Sequence, residues 1–396
     1  MNKVHPLFLL FIRLVPLIIR PMTLLAESFF IILNQSLQIY LMPITMLTLG
    51  VMAIPVHKNY YLATKNSDSK KIEYLGQLIP VLLLGLIIGI SLGSFVIDFS
   101  LIFLSIVFSS ILIEKFSDEI CRYLEFQKSF FGWFAIQLLR NSWPLIAITL
   151  SVFSNLSYLY ASLYLSLGSL VIVFFIMIKT FDRSFLINIE VVKKVLSSAL
   201  YLPLNYIPIL FRQIPRLLVA SILPQFAHSY QIFSQAGQLF SLIFEVTFNI
   251  PYRKAISRHP IMIFRRLRKL FLYILFACFF LSVLSFTASI FTKRLLILEV
   301  NIFLLPMLLS DAILLSILAT LSSYVFWSSS IKKCLVYAGH IAVISSLVTL
   351  IFFVIYNMQI FENLLLIPVW ISACSFMCVL YSYVIIGNID RKYEGN

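Results

Sequence analysis

Runs of about 20 apolar residues recur along this whole chain of 396 residues, and that is the length an α-helix needs to cross a bilayer. Hydrophobic residues make up 61% of the sequence and charged residues only 12%. The pattern predicts an all-α, polytopic integral membrane protein. The first run begins at Pro6 and has no small-residue cleavage site after a short core, so we interpret it as a retained span.

The apolar runs predict about 12 transmembrane helices, which divide near residue 190 into two six-helix bundles, 1–190 and 191–396. Their predicted ranges are 8–33, 36–56, 74–97, 99–113, 130–151, 157–178, 197–222, 228–251, 270–291, 300–326, 334–356 and 364–387.

The distribution of Lys and Arg predicts the orientation of the chain. Cationic residues collect in alternate connectors, at 57–73, 115–129, 179–196 and 253–269, and near both termini. Outside the predicted spans only Lys293 and Arg294 fall on the opposite side. Since cationic loops resist translocation, both termini are expected to be cytoplasmic. The net charge of +14 then reflects membrane orientation, and we predict no nucleic acid partner.

Several classes of function are excluded or disfavoured by what the connectors lack. They are too short for a soluble domain, and no histidine lies near an acid at catalytic spacing. No Gly-rich phosphate loop occurs, so we expect neither enzymatic activity nor a cofactor. The five cysteines lack metal-ligand spacing and are predicted to be packing residues, with no metal site. The basic run at 265–269 adjoins a span and predicts contact with anionic membrane lipid.

Polar residues within the spans supply the candidate site. In the first helix Arg13, Arg20, Glu27 and Asn34 are spaced by seven, which predicts one polar face. Further polar residues fall in other spans, and together they predict a polar interior. These are Gln137, Arg140 and Asn141 in the fifth helix, Asn205, Arg212 and Arg216 in the seventh, Gln231, Gln235, Gln238, Glu245 and Asn249 in the eighth, and Asp311 in the tenth.

Two interpretations of the buried arginines remain open. A single Arg or Asp at the centre of a membrane helix costs about 2.5–3.5 kcal/mol unless it shares water or a partner. Arg20, Arg212 and Arg216 could form structural salt bridges with Glu27, Glu245 and Asp311. Alternatively, the five arginines exceed these three acids, which predicts an anionic ligand, and the planar guanidinium suits phosphate oxygens.

A short repeat links the two halves. The first helix contains Pro16-Leu17-Ile18-Ile19-Arg20, and the seventh contains Pro208-Ile209-Leu210-Phe211-Arg212. Both segments read Pro-x-x-x-Arg on the first helix of a six-helix half. This favours parallel halves related by an axis along the membrane normal, as in transporters that rock two bundles about a central site.

The order of these features resembles the oligosaccharide lipid flippases of the multidrug/oligosaccharidyl-lipid/polysaccharide (MOP) exporter superfamily, the Wzx-type O-antigen translocases, with their MATE-like fold. The resemblance is greatest from Leu202 to Arg253, where Arg212-Gln213-Ile214-Pro215-Arg216 leads to His228-Ser229-Tyr230-Gln231 and a long polar helix. The segment Arg122-Tyr123-Leu124-Glu125-Phe126-Gln127-Lys128 before the fifth helix is also similar.

The resemblance implies that the chain flips polyprenyl-pyrophosphate-linked oligosaccharides across the inner (cytoplasmic) membrane by alternating access, for surface polysaccharide synthesis. It further implies partnership with a polysaccharide polymerase and chain-length proteins. The expected roles are pyrophosphate binding by the arginines, sugar binding by the amides of the eighth helix, and ion coupling by the acids. The residues are, respectively, Arg20, Arg140, Arg212 and Arg216; Gln231, Gln235, Gln238 and Asn249; and Glu245, Asp311 and Glu27.

Three alternatives stay open. A purely structural or assembly subunit is one of them, although it would leave the arginine stripes without a function. An ion-coupled exporter of small molecules, MATE-like, would have the same bundle but would favour acids over arginines for cationic substrates. A membrane polysaccharide polymerase would have a similar number of helices and a long outer loop with basic and catalytic residues.

Overall fold

The computed structural model describes residues 6–32, 35–52, 72–96, 100–126, 129–154, 156–180, 202–244, 260–291, 296–297, 300–301, 304–328, 331–357 and 363–394. Nearly all of these residues are helical. An apolar sequence favours this outcome in a bilayer, because an α-helix satisfies its backbone N–H and C=O groups within one segment.

The described ranges form two sets of helices separated by residues 181–201. The first set is α1 (Pro6–Phe30), α2 (Gln38–Met52), α3 (Ile72–Val96), α4 (Leu101–Phe126), α5 (Phe130–Phe153) and α6 (Tyr158–Thr180). The second set is α7 (Leu202–Ile222), α8 (Pro224–Phe244), α9 (Pro260–Phe291), α10 (Leu304–Ser328), α11 (Ile331–Asn357) and α12 (Asn363–Glu394).

Five of the described helices contain a segment that is long and apolar enough to cross a membrane. The segments are Tyr158–Thr180 in α6, Met262–Ala288 in α9, Leu305–Ser322 in α10, Lys333–Ile355 in α11 and Ile367–Asn388 in α12. Two shorter apolar helical segments are Gln38–Met52 and Val81–Ser94. The prediction of a helical membrane protein is thereby confirmed. The number of 12 spans, their grouping into two bundles and the cytoplasmic termini stay predictions.

A bilayer also accounts for the large apolar side chains on the outside of the protein. Phe175 on α6, Leu284 on α9 and Leu350 on α11 are 67%, 63% and 62% exposed. In water such faces would favour association, whereas lipid chains solvate them at no cost.

The chain separates into two compact units, Met1–Leu202 and Pro203–Asn396. In the first unit α4 is the central helix and packs against α2, α3, α5 and α6. In the second unit α10 is central and packs against α8, α9 and α12, with a smaller contact to α11. The fourth helix of each unit is therefore the one that its neighbours share. The predicted boundary at residue 190 lies outside the described residues.

Helix α4 corrects the predicted end of the fourth span at residue 113. It continues to Phe126, through a segment interpreted as a charged connector. The charges are paired inside the protein: Lys115 Nζ lies 2.7 Å from Glu119 Oε1, with both side chains at most 3% exposed. Lys115 Nζ also donates to the carbonyl of Met52, the last residue of α2, at 3.2 Å. Because Lys115 and Glu119 pair with each other at i, i+4, the helix continues through charged residues that had been interpreted as a connector.

The other helix ends differ by smaller amounts. The ninth helix begins at Pro260, so the described part of the connector predicted at 253–269 is helical. The basic residues of this part are exposed along α9: Arg265, Arg266, Arg268 and Lys269. The twelfth helix continues to Glu394. Before α10 the chain forms a two-stranded antiparallel pair, β1 (Leu296–Ile297) and β2 (Val300–Asn301), with Leu296 opposite Asn301. The predicted start of the tenth helix at residue 300 is corrected to Leu304.

Glycines at four-residue spacing let α3 approach its neighbours closely. Gly85, Gly89 and Gly93 are buried on one face of α3. A Cβ atom added at Gly89 would overlap Cδ1 of Ile111 on α4 and would lie 2.8 Å from Oγ1 of Thr48 on α2. This small-residue stripe is a common way for helices to pack in membranes, where close contact replaces the hydrophobic effect.

Replacing Gly89 with Leu is expected to destabilise the first unit by about 1–3 kcal/mol, because the side chain would have to displace both neighbouring helices. The thermal unfolding midpoint in detergent measures the effect. Gly168 on α6 is the matched control, since an added Cβ there meets nothing within 4 Å. Equal midpoints for Gly89→Leu and Gly168→Leu would contradict the close packing.

Candidate functional site

Arg20 lies at a contact between three helices of the first unit. From α1, its Nη2 donates to Glu114 Oε1 on α4 at 2.8 Å, and its Nε donates to Asn141 Oδ1 on α5 at 2.5 Å. The Asn141 amide is held in turn by donation to the Gln137 carbonyl at 2.7 Å. The side chain of Arg20 is 18% exposed, so these polar contacts replace most of its hydration.

Arg140 reaches the same carboxylate from α5. Its Nη2 forms an ion pair with Glu114 Oε2, so one carboxylate lies between two guanidinium groups. Asp118, one turn further along α4, also interacts electrostatically with Arg140. We call Arg20, Glu114 and Arg140 the first-unit arginine cluster. The bridging acid stabilises two cations that would otherwise repel each other, where a lone charge would be costly.

A small cavity adjoins this cluster. Its volume is about 30 Å³, which is enough for at least one water molecule. Its wall is formed by four helices of the first unit, α1, α2, α4 and α5. The lining residues are Arg20, Gln38, Leu41, Met42, Thr45, Met46, Ser110, Glu114, Arg140, Asn141, Trp143 and Pro144.

Glu114 is the residue that the sequence interpretation missed. It lies one position beyond the predicted end of the fourth span, so the excess of five arginines over three acids omitted it. Arg20 pairs with Glu114 and not with Glu27, the partner considered from sequence. The helical spacing of buried Ile113, Ser117 and Ile120 was the signal that α4 continues past this acid.

Glu27 has a different environment from the one expected for an ion-coupling residue. It is fully buried, and its Oε1 accepts hydrogen bonds from the N–H groups of Leu37 and Gln38 at 2.7 and 2.9 Å. The Tyr158 hydroxyl on α6 donates to the same oxygen at 2.9 Å. Because α2 begins at Gln38, the carboxylate occupies the favourable negative position at a helix N-terminus. These contacts join α1, α2 and α6.

The other two members of the polar face predicted for the first helix, Arg13 and Asn34, have no described side chain. Helix α1 ends at Phe30, Asn34 is outside the described residues, and nothing is described of the Arg13 side chain. Of the four residues predicted to share a face, the side chains of Arg20 and Glu27 are described, and these two bind different partners.

The second unit contains its own arginine pair, on α7. Arg216 is 2% exposed, and its Nη2 and Nε donate to Ser234 Oγ on α8 at 2.9 and 3.1 Å. Its Nη1 donates to Gln213 Oε1 at 3.3 Å. One turn earlier, Arg212 Nη2 donates to Ser316 Oγ on α10 at 3.2 Å. The spacing i, i+4 brings both guanidinium groups to the contact between α7, α8 and α10.

Asp311 lies within electrostatic range of both arginines. It is buried on α10, and its Oδ1 accepts a hydrogen bond of 2.5 Å from the Ser375 hydroxyl on α12. Gln231 and Gln235 are buried on α8. We call Arg212, Arg216 and Asp311 the second-unit arginine cluster. The Gln238 side chain is not described, and Glu245 and Asn249 lie outside the described residues.

The two clusters share one element of their construction. In each unit the arginine of the Pro-x-x-x-Arg segment lies on the first helix and donates through Nη2 to the fourth helix. The acceptor is Glu114 in the first unit and Ser316 in the second. The carboxylate neutralises charge, whereas the hydroxyl only accepts a hydrogen bond. In the second unit the acid near this arginine is Asp311, which lies on the same helix as Ser316.

The remaining candidate chemistry is limited. Within the described part of the chain, no group of three or more His, Cys, Asp or Glu residues could hold a metal ion. All five cysteines are buried free thiols. Fold and clusters together define a helical membrane protein with arginines buried inside it. No protein-family model, no curated protein and no solved structure matches this chain.

Replacing Glu27 with Leu is expected to lower the thermal unfolding midpoint strongly. Three donors would lose their acceptor in a buried place, at about 1–3 kcal/mol each. Glu27→Gln is the matched control, because its amide oxygen can still accept from the two backbone N–H groups. A Glu27→Gln protein that is as stable as wild type but has lost ion-dependent transport would instead favour the ion-coupling role.

Proposed function

We propose that this protein translocates an anionic, lipid-linked oligosaccharide across the cytoplasmic membrane. The carrying observation is the second-unit arginine cluster, which has two arginines and one acid. Among the described helices of that unit, Asp311 is the only acid before Asp390 near the end of α12. Although acids are few in this unit's described helices, the charged side chain of Arg216 is only 2% exposed. Two arginines inside a membrane protein are costly to keep and complement a substrate with negative charge.

The chemistry of arginine favours a phosphoryl group as that negative charge. Guanidinium stays charged when desolvated and presents a planar fork of donors to phosphate oxygens. Arg212 and Arg216 are one helical turn apart, so a diphosphate could contact both. In the first unit Arg20 and Arg140 converge on the Glu114 carboxylate, which supports the capacity of that pair to hold an oxyanion.

The surroundings of the second-unit cluster support a sugar as the polar part of the substrate. Gln231 lies one turn before Ser234 and Gln235 on α8, and Ser234 already contacts Arg216. Amide groups both donate and accept hydrogen bonds, as sugar hydroxyls require. The large apolar side chains on α6, α9 and α11 suit contact with lipid chains. The proposal includes alternating access and partnership with a polysaccharide polymerase and chain-length proteins.

A second candidate is an ion-coupled exporter of small molecules. Asp311 favours it, because a carboxylate buried beside the Ser375 hydroxyl could bind and release a proton or cation during transport. In the flippase proposal the same residue supplies ion coupling. The two candidates differ in what accumulates when the protein is removed.

Depletion of the protein is expected to leave polyprenyl-pyrophosphate oligosaccharide on the cytoplasmic face, measured by its protection from an externally added glycosidase. Arg212→Ala should fail to reverse this accumulation. Losing a buried, charged hydrogen bond worth about 1.5–3 kcal/mol corresponds to roughly 10- to 100-fold weaker binding. The Arg20→Ala/Arg212→Ala double variant should be at least as defective.

Lys333→Ala is the matched control for loss of a cation. Lys333 is exposed near the start of α11 and should be dispensable. Membrane abundance of each variant is measured alongside, so that misfolding is separated from loss of binding. Normal export in depleted cells would instead direct attention to the small-molecule exporter.

Asp311→Asn is expected to slow transport at least about tenfold while leaving oligosaccharide binding intact, because the amide cannot exchange a proton or balance a cation. The measurement is the rate of flipping in proteoliposomes with and without an ion gradient. Ser375→Ala keeps the carboxylate and removes only its hydroxyl donor, so it should retain gradient dependence. Unchanged gradient-driven flipping by Asp311→Asn would exclude Asp311 from coupling.

A further inference from the structure

The first-unit arginine cluster contains more donors than its acid can satisfy. Each guanidinium offers five N–H donors, whereas one carboxylate has about four acceptor positions. Arg20 and Arg140 approach different oxygens of Glu114, at 2.8 Å for Arg20. Among the described residues, the Nε of Arg140 is buried and has no hydrogen-bond partner. The cluster therefore retains capacity to bind another oxyanion.

Glu114 is also not packed on every side. Its carboxylate lines the cavity of about 30 Å³ beside the two arginines. Thr45, Ser110 and Gln38 also line this cavity; the hydroxyls of Thr45 and Ser110 bond to each other, and the Gln38 amide donates to the Tyr158 hydroxyl. These groups could receive the carboxylate if it moved away from the guanidinium groups. The cavity and the space that the carboxylate leaves would together admit part of a phosphoryl group.

A carboxylate and a phosphoryl group compete for the same positions on arginine, because both present paired oxygens to the planar fork. We infer that Glu114 is a built-in counter-anion, which holds Arg20 and Arg140 in the absence of ligand and is displaced by the phosphoryl group of the substrate. This inference rests on the proposed function and identifies the residue with which the substrate competes.

Competition by Glu114 would suit transport in two ways. The arginines would not be left without an anion, so the empty protein would avoid the cost of unpaired buried charge. The returning carboxylate would also weaken the hold on the phosphoryl group. A transport site must bind its substrate firmly enough to load it and weakly enough to release it.

The test measures binding of two phosphoryl probes to purified protein in phosphatidylcholine nanodiscs. Trp143 is 4% exposed and lines the cavity, so its fluorescence reports on the site. The other three tryptophans, Trp133, Trp327 and Trp370, are replaced by Phe in all proteins compared. Inorganic pyrophosphate represents the free anion, and farnesyl diphosphate represents a lipid-linked one.

Glu114→Gln is expected to bind the probes at least about fivefold more tightly than the parent. An internal competitor lowers the apparent affinity in proportion to the small fraction of time for which it leaves the arginine pair free, and the amide competes only weakly. Tightening for both probes would identify the phosphoryl group as the ligand. Tightening for farnesyl diphosphate alone would assign the site to lipid-linked diphosphates.

Glu119→Gln is the matched control, because Glu119 is a buried acid on the same helix whose carboxylate pairs with Lys115. It should leave probe affinity unchanged. Glu114→Asp provides a second variant should the amide impair folding, since the shorter acid keeps its charge but reaches the two arginines less well. It is expected to bind with intermediate affinity.

Unchanged or weaker binding by folded Glu114→Gln and Glu114→Asp would overturn the competition. Equal tightening by Glu119→Gln would also overturn it, because the effect would then reflect net charge alone. The binding assay needs no transport. Glu114→Gln could bind the probes more tightly while depletion of the protein causes no accumulation of lipid-linked oligosaccharide. That result would support the counter-anion role of Glu114 and contradict the proposed flippase function.

Discussion

The carboxylate of Glu114 lies between two guanidinium groups, and the first unit is arranged around that contact. Charges removed from water must be compensated locally, and in this unit the compensation joins three helices. Arg20 contributes from α1, Glu114 from α4 and Arg140 from α5, while Asn141 orients the first arginine. The continuation of α4 depends on the same principle, because Lys115 and Glu119 pair internally.

The second unit solves a related problem with different groups. Its arginines donate to Ser234, Gln213 and Ser316, and Asp311 is held by Ser375. Hydroxyls and amides satisfy donors but do not cancel charge. An arginine on the first helix that contacts the fourth helix is thus common to both units, but the acceptor on that helix is a carboxylate in the first unit and a hydroxyl in the second. This difference motivates both the anionic substrate and the competing role of Glu114.

Much of the helical pattern could be predicted from hydropathy, since every described helix overlaps a predicted span. The errors fall where charge was taken to indicate a connector, as at Lys115 and Glu119, or where a short antiparallel pair precedes α10. Hydropathy averages over a window and does not register that two opposite charges at i, i+4 neutralise each other. Glu114, the acid shared by Arg20 and Arg140, was overlooked because the predicted fourth span ended one residue before it.

The sequence alone determined that this is a helical membrane protein with arginines inside its helices, because span length and apolar composition leave few other folds. It also located the Pro-x-x-x-Arg segments on the first helix of each half. Only the tertiary structure decided which acid meets which arginine. Glu27 and Arg20 share a helix, yet Glu27 caps α2 while Arg20 pairs with a residue 94 positions away. Charge pairing depends on distances across helices, and helical periodicity specifies only positions along one helix.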